Sequence, residues 1–270
     1  MDPFRDRVAV ITGGAGGIGM AMARAFAARG AKVVLADLDE AALRKSIMDL
    51  QGAGATVVGV PTDVTRLESV QALAAASRRH FGGAHIICNN AGVATFGEIR
   101  QSTHRDWAFT MNVNFWGVVH GVETFVPLLV EQGQGGHIVN TASMAGLIGM
   151  RWLGIYSASK FAVVGLTEAL QRELEPLGVG VSVLCPMIVD TKINENSARM
   201  RPAELRNADE PLIPPSGAMA GGTIAVDEVA RRVVRAIERR DFYILTHPEQ
   251  REILRRRAAR LDAMFEEDRW

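Results

Sequence analysis

The stretch that decides the fold runs from Val8 to Gly19 and reads VAVITGGAGGIG. Its first four residues form a short apolar run with charge before it and glycine after it, which is typical of a buried parallel strand. The glycine loop leads directly into a helical pattern from Met20 to Arg29, and Gly30 is placed to end that helix. Strand, loop and helix in this order predict a site for the pyrophosphate of a dinucleotide, because glycines let the backbone approach it and the helix N-terminus offers unpaired N–H groups.

Similar patterns alternate along the rest of the chain. Strands are predicted at residues 32–36, 56–60, 85–88, 137–140, 179–184 and 242–245, and helices at 39–50, 66–80, 105–130, 156–174 and 227–239. This alternation predicts an α/β fold, a Rossmann-like doubly wound parallel sheet with helices on both faces. We expect one domain over residues 1–270, with a dinucleotide-binding half at about 7–140 and a catalytic and substrate half at about 141–247.

Two segments depart from the alternation. Residues 193–222 lack clean periodicity and contain several prolines and glycines, a composition that indicates a substrate loop or lid, or else disorder. Residues 248–270 are predicted to form an Arg-rich amphipathic helix that docks through its apolar side and leaves its charged side in solvent.

The composition excludes several classes of function. Lys plus Arg equals Asp plus Glu at 30 each, so no strong field favours nucleic acid or an anionic membrane as a partner. Cys88 and Cys185 both lie in apolar runs, which favours core thiols of a reducing compartment over a disulfide, and no Cys/His cluster has metal-ligand spacing. The N-terminus is charged, and no apolar stretch is expected to be long enough for a membrane span, so we expect a cytoplasmic protein.

Tyr156 and Lys160 suggest acid/base chemistry. On a helix the two side chains lie one turn apart on one face. A free tyrosine has a pKa of ~10, and one positive charge at ~4 Å in an effective dielectric of ~20 supplies about 4 kcal/mol, enough to move that pKa toward ~7. Burial opposes this shift, so we expect the full effect to need a second cation such as an oxidised nicotinamide ring.

Asp37 ends the second predicted strand, where an acid can bind the ribose hydroxyls of adenosine. A 2′-phosphate would meet that carboxylate, and no Arg or Lys occupies Ala15, Gly16 or Leu38 to compensate. The sequence therefore predicts NAD(H) as cofactor in preference to NADP(H). The alternative role for Asp37 is a helix N-cap, which Asp39 fills at least as well.

Together these motifs resemble the classical short-chain dehydrogenase/reductase family. Ser143 lies thirteen residues before Tyr156, and the three-residue gap between Tyr156 and Lys160 fits the classical group rather than the enoyl reductases. The resemblance covers residues 7 to about 245. It is carried by Thr12-Gly13-x-x-x-Gly17-x-Gly19, Asn89-Asn90-Ala91-Gly92, Ser143 and Tyr156-x-x-x-Lys160.

The resemblance implies a catalytic set of four residues. Tyr156 would exchange a proton with the substrate oxygen as general acid/base. Lys160 would lower the pKa of Tyr156 and bind the nicotinamide ribose, and Ser143 would hydrogen-bond the substrate oxygen. Asn114 matches the family's asparagine that supports a water beside the lysine. Such an arrangement performs positioned acid/base catalysis, while hydride transfer belongs to the cofactor.

The resemblance also implies the cofactor contacts. Asp63 and Val64 would meet adenine, residues 90–92 would line the adenosine ribose, and residues 186–191 would hold the nicotinamide carboxamide. The family usually has glycine where this chain has Met187, which leaves the shape of the pocket open. The implied contacts are Thr12, Gly13, Gly16, Gly17, Ile18, Gly19, Asp37, Leu38, Asp63, Val64, Asn90, Ala91, Gly92, Tyr156, Lys160, Pro186, Val189 and Thr191.

Loops beyond the carboxyl ends of the strands are expected to form the substrate pocket. The candidates are Thr95, Phe96, Met144, Ala145, Met150, Trp152, Met187, Ile188 and Ile193. This apolar lining predicts a bulky, hydrophobic secondary alcohol or ketone as the small-molecule partner, unless several of these residues are ordinary core or subunit contacts. The C-terminal third is similar to the aryl-alcohol Cα-dehydrogenases of lignin-dimer breakdown at residues 199–202, 243–245 and 248–249, which favours aromatic substrates.

Other functions remain open at this point. A 3-oxoacyl thioester reductase would want NADPH, which Asp37 disfavours, and a basic entrance, which Arg199, Arg201 and Arg206 could form. A non-catalytic NAD(H)-binding sensor has no need of Tyr156 and Lys160 together, and a scaffold has no need of the glycine loop. The family resemblance also implies a homo-oligomer, a tetramer or dimer paired through the helices at 105–130 and 156–174.

Overall fold

Seven parallel strands form one sheet in the computed structural model, which describes residues 2–207 and 221–265. Two further strands, β7 and β8, pair separately beside it. In chain order the strands are β1 (Val8–Thr12), β2 (Lys32–Asp37), β3 (Val57–Pro61), β4 (Ile86–Asn89), β5 (Gly136–Thr141), β6 (Val179–Cys185), β7 (Ile188–Val189), β8 (Thr223–Ile224) and β9 (Tyr243–Leu245).

Helices connect the strands. They are α1 (Gly17–Ala27), α2 (Glu40–Gly52), α3 (Leu67–Phe81), α4 (His104–Met111), α5 (Gly117–Gln132), α6 (Gly154–Leu174), α7 (Ile193–Met200), α8 (Val226–Arg239) and α9 (Arg251–Asp262). Since every strand of the large sheet runs parallel to its neighbours, the loops that follow those strands all emerge at one edge.

The strand order across the large sheet is β3-β2-β1-β4-β5-β6-β9. The direction of winding reverses between β1 and β4, where Ala9 pairs with Val33 on one side and with Ile86 on the other. The loops after β1 and β4 therefore leave toward opposite faces and open a crevice, the usual ligand position in open α/β sheets. The predicted doubly wound parallel sheet is confirmed.

Each face of the sheet buries its own cluster of apolar side chains. Successive residues of a strand point to opposite faces, so Ala9 and Ile11 of β1 pack with helices α1, α2 and α8, while Val8 and Val10 pack with α3, α5 and α6. Burial on both faces explains why the strands read as continuous apolar runs. Cys88 and Cys185 are buried and unbonded to each other, which confirms the prediction of core thiols.

The single helix predicted over residues 105–130 is interrupted in the structure. A π-helical segment, Asn112–Trp116, lies between α4 and α5. Its wider turn inserts one residue and shifts the register of the side chains, and such insertions recur at functional sites. Asn114, inside this segment, is completely buried. Apolar spacing could not reveal the change because the helical pattern resumes on both sides of it.

The helical run from His104 to Gln132 is long and apolar enough to cross a membrane by length and composition. This differs from the sequence-based expectation that no stretch meets those conditions. A single such helix is weak evidence for a span, since core helices of soluble proteins meet them too. Phe125 and Leu129 of this run pack in the core against the sheet, which accounts for much of its apolar character.

The segment after β7 is more regular than its sequence predicted. Ile193–Met200 forms α7, and Ala203–Leu205 forms a 3-10 turn. The only buried residue of α7 is Ser197. The segment therefore has no helical spacing of apolar residues from which the helix could be predicted. The prediction of an irregular segment is wrong for residues 193–205, and residues 208–220 lie outside the described part of the chain.

The C-terminal segment forms the predicted helix, α9, but without the predicted docking through an apolar side. Ile253 and Leu261 are both exposed, and α9 buries none of its residues. The helix contacts the body of the protein through Arg257, whose guanidinium carbon lies 5.5 Å from the ring centre of Phe161. Residues 266–270 lie beyond the described range.

Helix α5 packs so closely against β4 that a side chain at Gly121 should destabilise the fold. A Cβ at Gly121 would approach the Asn89 side chain closer than 3.0 Å, whereas a Cβ at Gly52, the last residue of α2, would meet no atom within 4 Å. We expect Gly121→Ala to reduce the free energy of unfolding by about 1–3 kcal/mol through overpacking. Gly52→Ala should be neutral or stabilising by up to about 1 kcal/mol. Chemical denaturation of both variants measures this, and equal stabilities would contradict the described packing.

Candidate active site

The glycine loop between β1 and α1 forms a cradle without side chains. A Cβ at Gly19 would overlap the carbonyl oxygen of Gly13, whereas a Cβ at Gly16 would point into open space. Gly13 and Gly17 have positive φ values of 62° and 51°, which L side chains rarely adopt. The first turn of α1, including Ile18, carries no acidic residue, and its N–H groups have no partners within the helix. These residues fit the pyrophosphate of a dinucleotide.

Thr12 and Asn90 fasten the loop after β1 to the loop after β4. The Thr12 hydroxyl accepts hydrogen bonds from the backbone N–H of Asn90 at 2.9 Å and of Ala91 at 3.1 Å. The Asn90 amide donates to the carbonyl of Thr12 at 3.0 Å. Both residues therefore hold the two walls of the crevice together, a structural role in addition to the cofactor contact predicted from the sequence.

Asp37 lies at the carboxyl end of β2, with Leu38 exposed beside it. One carboxylate oxygen of Asp37 accepts from the N–H of Ala15 in the glycine loop, and the other accepts from the N–H of Asp39, both at 3.0 Å. Asp39 is the N-cap of α2 and accepts from Ala42 at 3.0 Å, as predicted. Asp37 is thus fixed beside the cradle by its backbone contacts.

The Asp63–Val64 pair follows β3 at the same edge. The Asp63 carboxylate accepts hydrogen bonds from the N–H and the hydroxyl of Thr65, at 2.9 and 2.7 Å. The Val64 carbonyl contacts a ring nitrogen of His120 at 2.8 Å. These contacts hold the pair at the carboxyl-terminal edge of the sheet, and its contact with adenine stays a prediction.

Tyr156, Lys160 and Ser143 meet at the carboxyl ends of β5 and β6. The Lys160 ammonium donates to the carbonyl of Thr141, the last residue of β5, at 2.9 Å and lies 5.6 Å from the centre of the Tyr156 ring. Burial lowers the pKa of Lys160 to about 8. Three groups that can exchange or polarise protons therefore share one partly enclosed space.

Burial dominates the pKa of Tyr156 in the free protein, which is the effect expected to oppose Lys160. Burial raises it above the usual value for tyrosine, and the hydrogen bond with Ser143 only partly opposes that effect. In the free protein Lys160 does not bring the pKa of Tyr156 below its usual value, because the effect of burial is larger. A phenolate here requires further positive charge or hydrogen bonds.

Asn114 is held by the loop after β4. Its side-chain carbonyl accepts from the N–H of Val93 at 2.8 Å, and its amide donates to the Val93 carbonyl at 3.0 Å and to the Ser159 hydroxyl at 3.1 Å. A Cβ at Gly92 would lie 3.3 Å from the Asn114 oxygen and 3.5 Å from the Lys160 nitrogen. Because Gly92 has no side chain, it leaves space next to both Asn114 and Lys160.

The segment after β6 connects the catalytic and cofactor regions. The carbonyl of buried Pro186 accepts from the Ser143 hydroxyl at 3.3 Å and from the N–H of Met144 at 2.9 Å. Val189 is half-buried in β7. A Cβ at Gly17 would lie 3.3 Å from the Thr191 methyl group, so Thr191 reaches the glycine loop, and its contact with nicotinamide stays a prediction.

The predicted pocket residues come from the loops after β4, β5 and β6. Gly97 bridges to Leu153, which brings the loop of Thr95 and Phe96 against that of Met150 and Trp152. Met144 and Ala145 are almost completely buried, so they offer little surface to a ligand. The half-buried members, with surface left for a ligand, are Thr95, Phe96, Met150, Trp152, Met187, Ile188 and Ile193.

Two of the three arginines predicted to form a basic entrance are engaged in ion pairs. Arg199 pairs with Asp39 at 2.6 Å, and Arg201 pairs with the largely buried Asp106 at 2.7 Å. Arg206 donates to the backbone carbonyl of Arg201. These contacts leave little of the free basic entrance that a carrier-bound acyl thioester would use.

Several residues of the site escaped the sequence-based prediction. Ser197 accepts from the N–H of Ala94 at 2.8 Å and anchors α7 to the loop after β4. His247 contacts the backbone of Met187 and Gly222. His247 follows β9 closely, so the rule that ligands bind beyond strand carboxyl ends would have singled it out. Ser197 offered no such signal. No group of three or more metal-binding side chains occurs within residues 2–207 and 221–265.

The fold and site define a class of dinucleotide-binding oxidoreductase. A glycine cradle at a sheet crevice stands beside a Tyr-Lys-Ser cluster in which Ser143 and Lys160 are buried and Tyr156 is partly exposed. The family model described as short chain dehydrogenase matches residues 7–202. The chain belongs to this short-chain dehydrogenase/reductase family.

Similar proteins span nearly the whole chain. A "CLA biosynthesis dehydrogenase/reductase" of Lactiplantibacillus plantarum is 34% identical, over 97% of this chain and 95% of its own. A "C alpha-dehydrogenase" of Sphingobium sp. strain SYK-6 is 36% identical, over 93% of this chain and 84% of its own. The crystal structure of a family member from Burkholderia phymatum in complex with NAD has a TM-score of 0.92 and 44% identity, and covers 98% of this chain and 97% of its own.

The buried charge of Lys160 is predicted to lower the stability of the folded protein at neutral pH. A pKa lowered from 10.5 to about 8 corresponds to about 3 kcal/mol of destabilisation at neutral pH. Between about pH 8 and pH 10.5 Lys160 is protonated more fully in the unfolded chain than in the folded one, so the free energy of unfolding rises with pH across that range. We expect Lys160→Met to raise stability at pH 7 by about 2 kcal/mol, after loss of the Thr141 hydrogen bond.

Thermal unfolding from pH 6.5 to 10 measures this effect. The advantage of Lys160→Met over the unmodified protein should shrink as the pH rises above about 8. Lys45→Met, an exposed change on α2, is the control and should alter stability by less than about 0.5 kcal/mol at every pH. A Lys160→Met variant less stable than the unmodified protein at pH 7 would contradict the buried-charge argument.

Proposed function

We propose that this protein is an NAD(H)-dependent oxidoreductase that transfers a hydride between nicotinamide and a bulky hydrophobic or aromatic secondary alcohol or ketone. The observation that carries the proposal is the placement of Tyr156, Lys160 and Ser143 beside the glycine cradle. The likeness to a family structure in complex with NAD supports the cofactor.

Each residue of the cluster has a separate task. The Tyr156 hydroxyl gives a proton to the substrate oxygen in reduction and takes it in oxidation. The Ser143 hydroxyl turns from the Pro186 carbonyl to that oxygen and stabilises the negative charge that develops there. Lys160 supplies positive charge near Tyr156, and Asn114 holds the loop beside it. The bound nicotinamide supplies the hydride acceptor or donor.

The half-buried lining supports a hydrophobic substrate. Phe96, Trp152 and Met187 offer apolar surface on three different loops, and burial of such surface contributes roughly 25 cal/mol per Å². The similarity to a "C alpha-dehydrogenase" over most of the chain favours an aromatic alcohol. Ion pairing of Arg199 and Arg201 disfavours the carrier-bound thioester.

The activity is tested with NAD⁺ and a panel of secondary alcohols that includes aryl and steroid-like members. We expect turnover with the bulky apolar alcohols and a fall in kcat of about 10²-fold or more in Tyr156→Phe, because the acid/base group is lost. Tyr243→Phe, which changes the other tyrosine, on exposed β9, is the matched control and should retain its activity. A clear preference for short, charged hydroxy acids would refute the proposed substrate class.

Cofactor preference rests on Asp37. A 2′-phosphate beside this carboxylate is repelled, so we expect kcat/KM with NAD⁺ to exceed that with NADP⁺ by about tenfold or more. Asp37→Asn should narrow the difference while its amide oxygen still accepts from Ala15. Asp49→Asn, on the exposed side of α2, should leave the ratio unchanged. Equal use of both cofactors by the unmodified protein would refute the preference.

A further inference from the structure

His247 follows strand β9 and is almost completely buried. Its Nδ1 lies 3.3 Å from the backbone nitrogen of Met187 and 2.6 Å from the Thr246 hydroxyl. Its Nε2 lies 2.9 Å from the carbonyl oxygen of Gly222. One imidazole therefore touches two segments, the one that follows β6 and the one that leads into β8.

The partners determine which ring nitrogen carries the proton. A backbone N–H can only donate, so Nδ1 of His247 accepts from Met187. The Gly222 carbonyl can only accept, so Nε2 carries the hydrogen and donates to it. His247 thus acts as a neutral imidazole with both nitrogens engaged.

The N–H of Met187 and the carbonyl of Pro186 belong to one peptide group. That group is planar and rigid, so fixing the direction of its N–H also fixes the direction of its carbonyl. The same carbonyl accepts from the Ser143 hydroxyl at 3.3 Å and from the N–H of Met144 at 2.9 Å. The orientation of the peptide is therefore transmitted to the loop that carries Ser143.

We infer that His247 is a positioning residue, which orients the Pro186–Met187 peptide through Nδ1 and thereby aligns Ser143. Its Nε2 holds Gly222 and so the start of β8, the strand that pairs with β7 and the proposed pocket residue Ile188. This inference rests on the proposed function, in which Ser143 binds the substrate oxygen. The two nitrogens have separable tasks, Nδ1 in the catalytic step and Nε2 in substrate binding.

Two substitutions separate these tasks. In His247→Asn the side-chain oxygen is bonded to Cγ as Nδ1 is, so it can still accept from Met187 but cannot reach Gly222. In His247→Gln the terminal amide lies one bond further out, as Nε2 does, so it can still donate to Gly222 but leaves Met187 without its acceptor. His137→Gln is the matched control, because His137 is also buried and hydrogen-bonded but lies near the start of β5.

Steady-state kinetics and amide hydrogen exchange at Met187 are measured on the full chain. We expect His247→Gln to lower kcat about two- to tenfold and to speed exchange at Met187 by a similar factor, the range that corresponds to one hydrogen bond. His247→Asn should keep kcat within about twofold and instead raise the substrate KM. His137→Gln should change neither quantity at this site, whatever it does to the melting temperature.

The outcomes distinguish this inference from the proposed function. Absence of turnover in the unmodified protein would remove the proposed function, and with it the effect of His247 on kcat, even if exchange at Met187 still reported the contact. Turnover with equal kcat values in both His247 variants would overturn the inference alone. Equal losses of kcat and of melting temperature in both variants would also overturn it, since His247 would then only stabilise the fold.

Discussion

The buried ammonium of Lys160 is the constraint on which the site depends. Its charge is costly to bury, and in the free protein it is stabilised by the carbonyl of Thr141 at the end of β5. Burial also disfavours the phenolate of Tyr156. In the free protein the Tyr156 hydroxyl is therefore a weaker acid than usual, and the Lys160 amine is a weaker base. Positive charge brought to the crevice would lower the pKa of Tyr156 toward neutral pH. Under the proposed function, we therefore expect Tyr156 to become an effective acid/base only when the cofactor is bound.

The parallel sheet supplies the precision that this arrangement requires. Thr141, Pro186 and His247 each follow or end a neighbouring strand, β5, β6 and β9, so their separations are fixed by backbone pairing. Asn114 comes from a helix instead, and the π-helical segment turns its side chain onto the backbone of Val93. The catalytic groups lie on rigid elements, while the proposed pocket lies on loops, where substrate preference can vary without change to the frame.

Much of this architecture could be predicted from the sequence. The continuous apolar strands and the glycine loop were sufficient for the doubly wound sheet, and the spacing of Tyr156 and Lys160 was sufficient to pair them. The π-helical segment was not predictable, because it leaves the apolar pattern on either side unchanged. Helix α7 was missed because its buried residue is Ser197. The opposing effect of burial on the pKa of Tyr156 was expected, but its dominance over Lys160 could be known only from the fold. The exposure of α9 also could not be read from its amphipathic pattern.

The ionisation of Tyr156, followed by ultraviolet difference titration with and without NAD⁺, tests the central claim most directly. The chain has two tyrosines, and burial and Glu168 raise the pKa of Tyr243 to about 12, so subtraction of the Tyr156→Phe titration isolates one phenol. The account predicts a pKa for Tyr156 above the usual tyrosine value in the free protein and a clear fall with saturating NAD⁺. A pKa near 7 in the free protein, or one that NAD⁺ leaves unchanged, would contradict it.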